Sequence, residues 1–293
     1  MKKVGYFFLC FVPLIASICL QFVAAIPIMG ICLLQICFSN LLEGRKVPYE
    51  ELIMQFYSQF TNQSYAMLTS IVFALSGILL YGVWYTKQFK GSMQIPWKSF
   101  TKPGLIIGIL LLAPGLQTLS SILTTVFASL FPKWMDFYMD LMESAGFSSS
   151  SPSLLLLIYA VILGPIEEEL TFRGVILSSA KKALPFWAAN FLQALLFGIF
   201  HMNLIQGIYA FCIGLFLGYI CERGCSIWLS IFLHIIFNFW GTCISTQGTI
   251  LENPIVAILY FLFSILFGIL GLFLFHKNTS SKNVKHFHEV SDM

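Results

Sequence analysis

The chain has 293 residues, of which 58% are hydrophobic and only 10% charged, with a formal net charge of +3. A soluble domain carries roughly 45–50% apolar and about 25% charged residues, so these proportions exclude an ordinary water-facing globule. The small positive balance gives no sign of nucleic acid, and no nucleic-acid partner is expected.

Apolar segments run over 6–38, 64–86, 104–131, 154–180, 185–203, 204–221, 226–244 and 253–276. A membrane-crossing helix needs about 20 predominantly apolar residues, so the pattern predicts an all-α polytopic bundle of about eight transmembrane helices. The first segment is too long for one upright span, and a tilted helix bent near Pro13 or Pro27 would absorb the excess. Lys2 and Lys3 ahead of it mimic a signal peptide, but a secretory apolar core is only about 7–15 residues long. An uncleaved anchor is expected, in a multi-pass protein of the cell membrane in contact with lipid.

Charge gives the orientation. With the N-terminus inside and eight crossings, Lys2, Lys3, Lys87, Lys90, Lys98, Lys102, Lys181, Lys182, Arg223, Lys277, Lys282 and Lys285 fall on the inner side. Arg45, Lys46 and Lys133 fall outside. The positive-inside rule therefore puts both termini in the cytoplasm. The stretch 87–102 is expected to be a solvated inner loop and 148–151 a flexible one. Eight cysteines lie mostly within apolar runs with no Cys-x-x-Cys pair, which suits packing better than metal or redox chemistry. The expected organisation is 1–149 for the first three spans and their loops, 150–245 for a core of four spans, 246–276 for the last span and 277–293 for a cytoplasmic tail.

Ionisable groups at mid-span cost about 2.5 kcal/mol or more each on insertion scales, so each is a functional candidate. The fourth segment reads Leu163-Gly164-Pro165-Ile166-Glu167-Glu168-Glu169-Leu170-Thr171-Phe172-Arg173-Gly174. Pro165 predicts a helix break and restart, with the glutamates in the first turn where free N–H groups favour negative charge. Glu169 and Arg173, four apart, are expected to pair on one face. Glu168, with no cation four residues on, is the freer carboxylate and the candidate general base.

The fifth segment carries Phe197-Gly198-Ile199-Phe200-His201, and the seventh His234-Ile235-Ile236-Phe237-Asn238. His234 and Asn238 share a helical face. On a rise of about 1.5 Å per residue, Glu168 lies about 20 Å from Lys181, His201 about 24 Å from Pro185 and His234 about 12 Å from Ser226. The first two depths agree, whereas the third requires a tilted helix or a later boundary. Together a glutamate and a histidine can hold and deprotonate a water that attacks a carbonyl, while a second histidine and an amide donate to the oxyanion. Zinc is left open, since Glu168, His201 and His234 are competent ligands, although the His-Glu-x-x-His pattern is absent.

These three ordered motifs, Glu168-Glu169-x-x-x-Arg173, Phe197-x-x-x-His201 and His234-x-x-x-Asn238, resemble those of the CAAX protease and bacteriocin-processing (CPBP, or Abi) family of membrane endopeptidases. The resemblance covers about residues 150–245 and extends to Gly214-Leu215-Phe216-Leu217-Gly218-Tyr219. It implies an eight-helix bundle whose cavity opens towards the cytoplasm. Glu168 would be the catalytic glutamate and His201 its partner in activating water. His234 and Asn238 would stabilise the oxyanion, with Glu169, Arg173 and Phe197 supporting, in a metal-free mechanism. The implied substrate is a peptide or protein, lipidated or not, and family roles include prenyl-protein trimming, peptide maturation and immunity to bacteriocins.

Two other classes use similar residues. A proton-coupled transporter also carries midplane Glu and His, but transporters tend to repeat their broken helices in matching halves, and here the polar groups crowd into one half. A non-enzymatic immunity or scaffolding protein could keep the motifs for folding, with Glu169–Arg173 as a structural ion pair. Gly214 and Gly218 form a small-x-x-x-small pattern expected to mark close helix packing.

Overall fold

The computed structural model describes residues 2–89, 102–147, 152–244 and 253–279, and every regular element among them is a helix. The loop 90–101, the segments 148–151 and 245–252 and the tail from 280 lie outside the described residues, together with Lys90, Lys98, Lys282 and Lys285. Helix α1 (Lys2–Leu9) turns at Cys10 and Phe11 into α2 (Val12–Leu42). The bend therefore sits beside Pro13, and the chain continues through Pro27 without interruption. At 1.5 Å per residue α2 alone is about 46 Å long, more than the roughly 30 Å hydrocarbon core.

The polar stretches on either side of the second and third apolar segments are not simple loops. They fold as α3 (Tyr49–Phe60) and α6 (Pro132–Ser144), two helices with no buried residue. Each carries acids, Glu50 and Glu51 or Asp136, Asp140 and Glu143, beside exposed apolar side chains such as Met54, Tyr57, Trp134 and Phe137. That mixture suits a helix lying along a membrane surface. Between them run α4 (Gln63–Phe89) and α5 (Pro103–Leu130).

The fourth apolar segment forms one continuous run over 154–181, here α7, that alternates in geometry. It is α-helical at Leu154–Leu157, Gly164–Glu169 and Ser178–Lys181, and π-helical at Ile158–Leu163 and Leu170–Leu177. The break expected at Pro165 does not occur. A π turn accommodates the missing N–H instead, so the glutamates lie inside a helix and not at a free N-terminus. Then follow α8 (Phe186–Phe200), α9 (Leu204–Gly224) and α10 (Ile227–Phe239), which runs on as a π turn (Trp240–Ile244), and finally α11 (Pro254–Asn278).

Among the described residues, five stretches are long and apolar enough to cross a membrane: Lys2–Leu42, Gln63–Phe89, Pro103–Leu130, Leu204–Gly224 and Pro254–Asn278. Phe186–Phe200 and Ile227–Cys243 are shorter apolar helices. With α7, these coincide with the eight apolar segments of the sequence. Large apolar side chains stand outward along them, Phe22 at 73% exposure and Leu79 at 69% among them, a surface only lipid can cover. The chain is a multi-pass membrane helix bundle.

Lipid is as apolar as leucine, so helices here associate by close packing. Gly108 and Gly115 of α5 face Gly271 and Gly268 of α11. Gly198 of α8 faces Gly207 of α9, and Gly214 and Gly218 of α9 lie against Ala194 and Asn190 of α8 as their spacing suggested. Buried Leu112, Leu217, Leu229, Leu233 and Phe275 fill the space between α5, α9, α10 and α11. None of the eight cysteines forms a disulfide, but only Cys10, Cys32, Cys221 and Cys225 are buried, and Cys19 and Cys37 are exposed on α2.

The glycine contacts set a stability test. A Cβ on Gly115 would lie 2.6 Å from the Gly268 Cα, a backbone atom that cannot swing away, whereas a Cβ on Gly5 meets nothing within 4 Å. Thermal unfolding in detergent should show Gly115→Val destabilised by about 1–3 kcal/mol, the range for overpacking, and Gly5→Ala unchanged.

Candidate active site

Three adjacent glutamates on a helix point in three directions, because successive residues are about 100° apart. Glu167 faces α4, where its Cγ lies against Gly77 at a position a Cβ would occupy. Its carboxylate accepts from Thr171 Oγ1 at 3.0 Å, and it is absent from the cavity described below. Glu167 is thus an α4 contact, in keeping with the register that Arg173 fixes in the sequence.

Glu169 points the other way and is fully buried. Its Oε1 accepts from Arg173 Nη1 at 2.8 Å and from His234 Nδ1, also at 2.8 Å. The guanidinium is fully buried as well, donates through Nη2 to the Gly214 carbonyl at 3.2 Å and stacks 4.6 Å over the Phe197 ring. Gln193 Nε2 donates to the same carbonyl at 2.9 Å. The pair expected from i, i+4 spacing is thus the hub of a network joining α7, α8, α9 and α10.

Glu168 lies between these directions, with 19% of its side chain exposed. It borders a cavity of about 200 Å³ that is also lined by Tyr159, Phe197, His201, Gln206, Tyr209, His234 and Asn238. Its Oε2 is 3.5 Å from His234 Nε2, longer than a good hydrogen bond. All four residues expected to carry chemistry therefore share one chamber. The depth offset of His234 does not keep it away, since α10 delivers it against both Glu168 and Glu169.

Hydrogen-bond partners fix the two imidazoles. His201 is not inside α8 but caps its C-terminus, with its N–H on the Gly198 carbonyl, and the chain turns at Met202 with φ 53°. His201 Nδ1 meets the Phe197 carbonyl at 3.1 Å. A carbonyl only accepts, so Nδ1 carries the proton and Nε2 keeps a lone pair. His234 Nδ1 likewise donates, to a carboxylate already paired with Arg173, which leaves Nε2 on the Glu168 side.

Asn238 has a role that spacing does not reveal. The Gly164 N–H bonds to the Tyr159 carbonyl across the first π turn, which takes it from the carbonyl of Ala160. Five residues beyond Ala160 stands Pro165, which has no N–H. Asn238 Nδ2 fills this gap by donating to Ala160 O at 2.8 Å. One amide hydrogen is thus committed to holding the π turn that aims the glutamates. Phe197 is more than a wall, since it carries the guanidinium on its face and meets both His201 and His234 edge-on.

Tyr159, Gln206 and Tyr209 line the cavity without having been singled out in the sequence. Asn190 and Gln193 could have been found by widening the criterion used for the glutamates from ionisable to polar side chains. They are polar residues in an apolar helix, both buried, joined to each other at 2.8 Å, and Asn190 donates to the Leu215 carbonyl at 3.0 Å. For zinc the fit is poor. Among the described residues no three His, Cys, Asp or Glu side chains are gathered as a metal ion requires, although Glu168, His201 and His234 face one chamber.

Comparison with known proteins bears on the same region. Residues 150–240 match the family model of the type II CAAX prenyl endopeptidase Rce1-like proteins. A Bacillus subtilis (strain 168) protein named "Putative membrane peptidase YdiL" is 31% identical over 84 residues, which cover 29% of this chain and 34% of that protein. The chain thus matches little more than a third of that relative's length. No solved structure gives a significant match. The three motifs thus meet in one cavity inside a segment, residues 150–240, that is similar to the type II CAAX prenyl endopeptidases.

Proposed function

We propose that the protein is an intramembrane endopeptidase of the CAAX protease type, hydrolysing a peptide bond by water activated between Glu168 and His201. Glu168 is the general base. The lone pair on His201 Nε2 accepts a hydrogen bond from the same water and orients it. As hydroxide adds to the scissile carbonyl, the proton passes to the carboxylate and is later given to the leaving amine. His234, anchored through Nδ1 on Glu169, turns Nε2 to the developing oxyanion. Asn238 adds its second amide hydrogen there. Glu169 and Arg173 hold His234 in position without touching the substrate, and Phe197 supports Arg173.

The observation that carries this reading is the convergence of Glu168, His201, His234 and Asn238 on one cavity, with a buried Arg173–Glu169–His234 chain behind it. The family match and the membrane peptidase relative support the reaction class. The substrate is a peptide or protein segment at or within the bilayer, and its maturation, or immunity to a bacteriocin, is the cellular role in keeping with the family. No cofactor is required. Were zinc used, Glu168, His201 and His234 would be its ligands.

Peptidomics of cells carrying wild type or Glu168→Gln tests the assignment. Products present with wild type should fall by about 10²–10⁴ in rate, the usual contribution of a general base, while the variant still inserts. His201→Ala should behave alike, and a Glu168→Gln peptidome identical to wild type overturns the reading. Cleavage by purified protein should survive 1,10-phenanthroline, and loss that zinc restores would replace the metal-free scheme. Asn238→Ala should lower both stability and cleavage, by up to about 1–3 kcal/mol for the partly buried Ala160 carbonyl left without its donor. Unaltered thermal unfolding would remove the brace to Ala160.

A further inference from the structure

The two ends of the bundle differ in charge, and the cavity belongs to one of them. Lys182 Nζ lies over the rings of Tyr6 and Phe89, which brings together the starts and ends of α1, α4 and α7. Lys181 pairs with Glu222 at 2.5 Å, joining the ends of α7 and α9, and Arg223 Nη2 reaches the Thr279 carbonyl just beyond α11. Asn278 lies against Gly104 at the start of α5. This end therefore holds Lys2, Lys3, Lys87, Lys102, Lys181, Lys182, Arg223 and Lys277. The opposite end carries α3 and α6, tied to their neighbours by Asn40–Gln55 and by Gln63 on the Ala145 carbonyl. Among the described residues its cations are Arg45, Lys46 and Lys133, against Glu43, Glu50, Glu51, Asp136, Asp140 and Glu143.

The cavity reaches from Glu168 towards the acidic end. Its outermost lining is Phe147 after α6, His201 at the end of α8 and Gln206 in the first turn of α9. On the lysine side of Glu168 the helix is sealed, with Phe172, Arg173, Val175, Ile176 and Leu177 all 0% exposed and Ala189, Leu196 and Phe197 packed against them. Lysine and arginine accumulate on the cytoplasmic side of membrane proteins, so a cytoplasmic mouth and this charge distribution are incompatible.

We propose that the chamber is entered from the extracytoplasmic face, so that its substrates are peptide segments presented outside the cytoplasm or emerging from the outer leaflet. This rests on the peptidase reading for the word substrate, but the direction of access stands on geometry and charge alone. The acidic rim, with α6 beside the entrance, adds a preference for segments of neutral or positive charge.

The test uses intact cells, a membrane-impermeant maleimide and single-cysteine additions to the full chain, with the parent chain as the blank. Gln206→Cys and Phe147→Cys report the mouth, exposed Lys133→Cys the acidic end and exposed Lys87→Cys the basic end. Both mouth reporters and Lys133→Cys should react in intact cells, and Lys87→Cys only after permeabilisation. Mouth reporters that react only after permeabilisation, or not at all while Lys133→Cys reacts, overturn the proposal. In the same cells, labelling at Gln206→Cys should abolish the Glu168-dependent products. If such products never exist, the peptidase reading fails while the labelling still decides the side.

Discussion

The arrangement depends on one oxygen atom, Glu169 Oε1, which holds Arg173 and His234 together in a site closed to solvent. Desolvating an ion pair costs several kcal/mol per ion, and Coulomb attraction offsets that only with good geometry and further hydrogen bonds. Here the further bonds come from three other helices: His234 from α10, the Gly214 carbonyl from α9 and the Phe197 face from α8. Removing one charge would strand the other, at about 3–5 kcal/mol. The pair therefore fixes how α7 sits among its neighbours, and in doing so sets where the next carboxylate, Glu168, projects.

Helix geometry then divides the glutamates. With a full turn every 3.6 residues, Glu167, Glu168 and Glu169 cannot share an environment, and the bundle supplies three: bare backbone at Gly77, an open chamber and a cation. The π turns on either side adjust the phase of α7 where Pro165 would otherwise break it. Such turns recur at functional sites because they re-aim side chains without ending the helix. The local cost is a carbonyl without its helical partner at Ala160, and Asn238 from a distant part of the chain satisfies it. A motif residue thus links the aim of the acid to the helix that carries the imidazole.

Much of this was legible in the sequence, for a definite reason. Apolar run length is set by bilayer thickness, so the eight segments could be marked out from composition. Ionisable residues inside them had to be explained, which led to Glu168, His201 and His234, helical spacing added Asn238 beside His234, and all four line the cavity. The failures were equally physical. Pro165 reads as a helix start because local rules assume an α-helical register, and nothing in one dimension announces a π turn completed by Asn238. The helices α3 and α6 are not visible as apolar runs because interfacial helices mix both residue types over short lengths. Asn190 and Gln193 satisfied the polar-in-apolar criterion but, uncharged, drew no notice. The hidden partner of the Gly214 carbonyl went with them.

The closed floor of the chamber follows from the same hub. A water-bearing pocket halfway through a bilayer is a leak unless something blocks the rest of the path. Arg173 and Glu169 do so by filling the space between the helices, with Oε1, Nη1 and Nη2 engaged on each other, on His234 and on backbone. Glu169 Oε2 and Arg173 Nε stay buried without a hydrogen-bond partner. Below them Val175, Ile176 and Leu177 are packed without exposure. Glu168 can then keep its access to water on one side only, and the interaction that stiffens the bundle also makes the chamber one-sided. On the proposed peptidase reading, substrate would enter and product leave through that one opening, and its orientation in the membrane, more than any feature of its acids and imidazoles, would decide which polypeptides reach it.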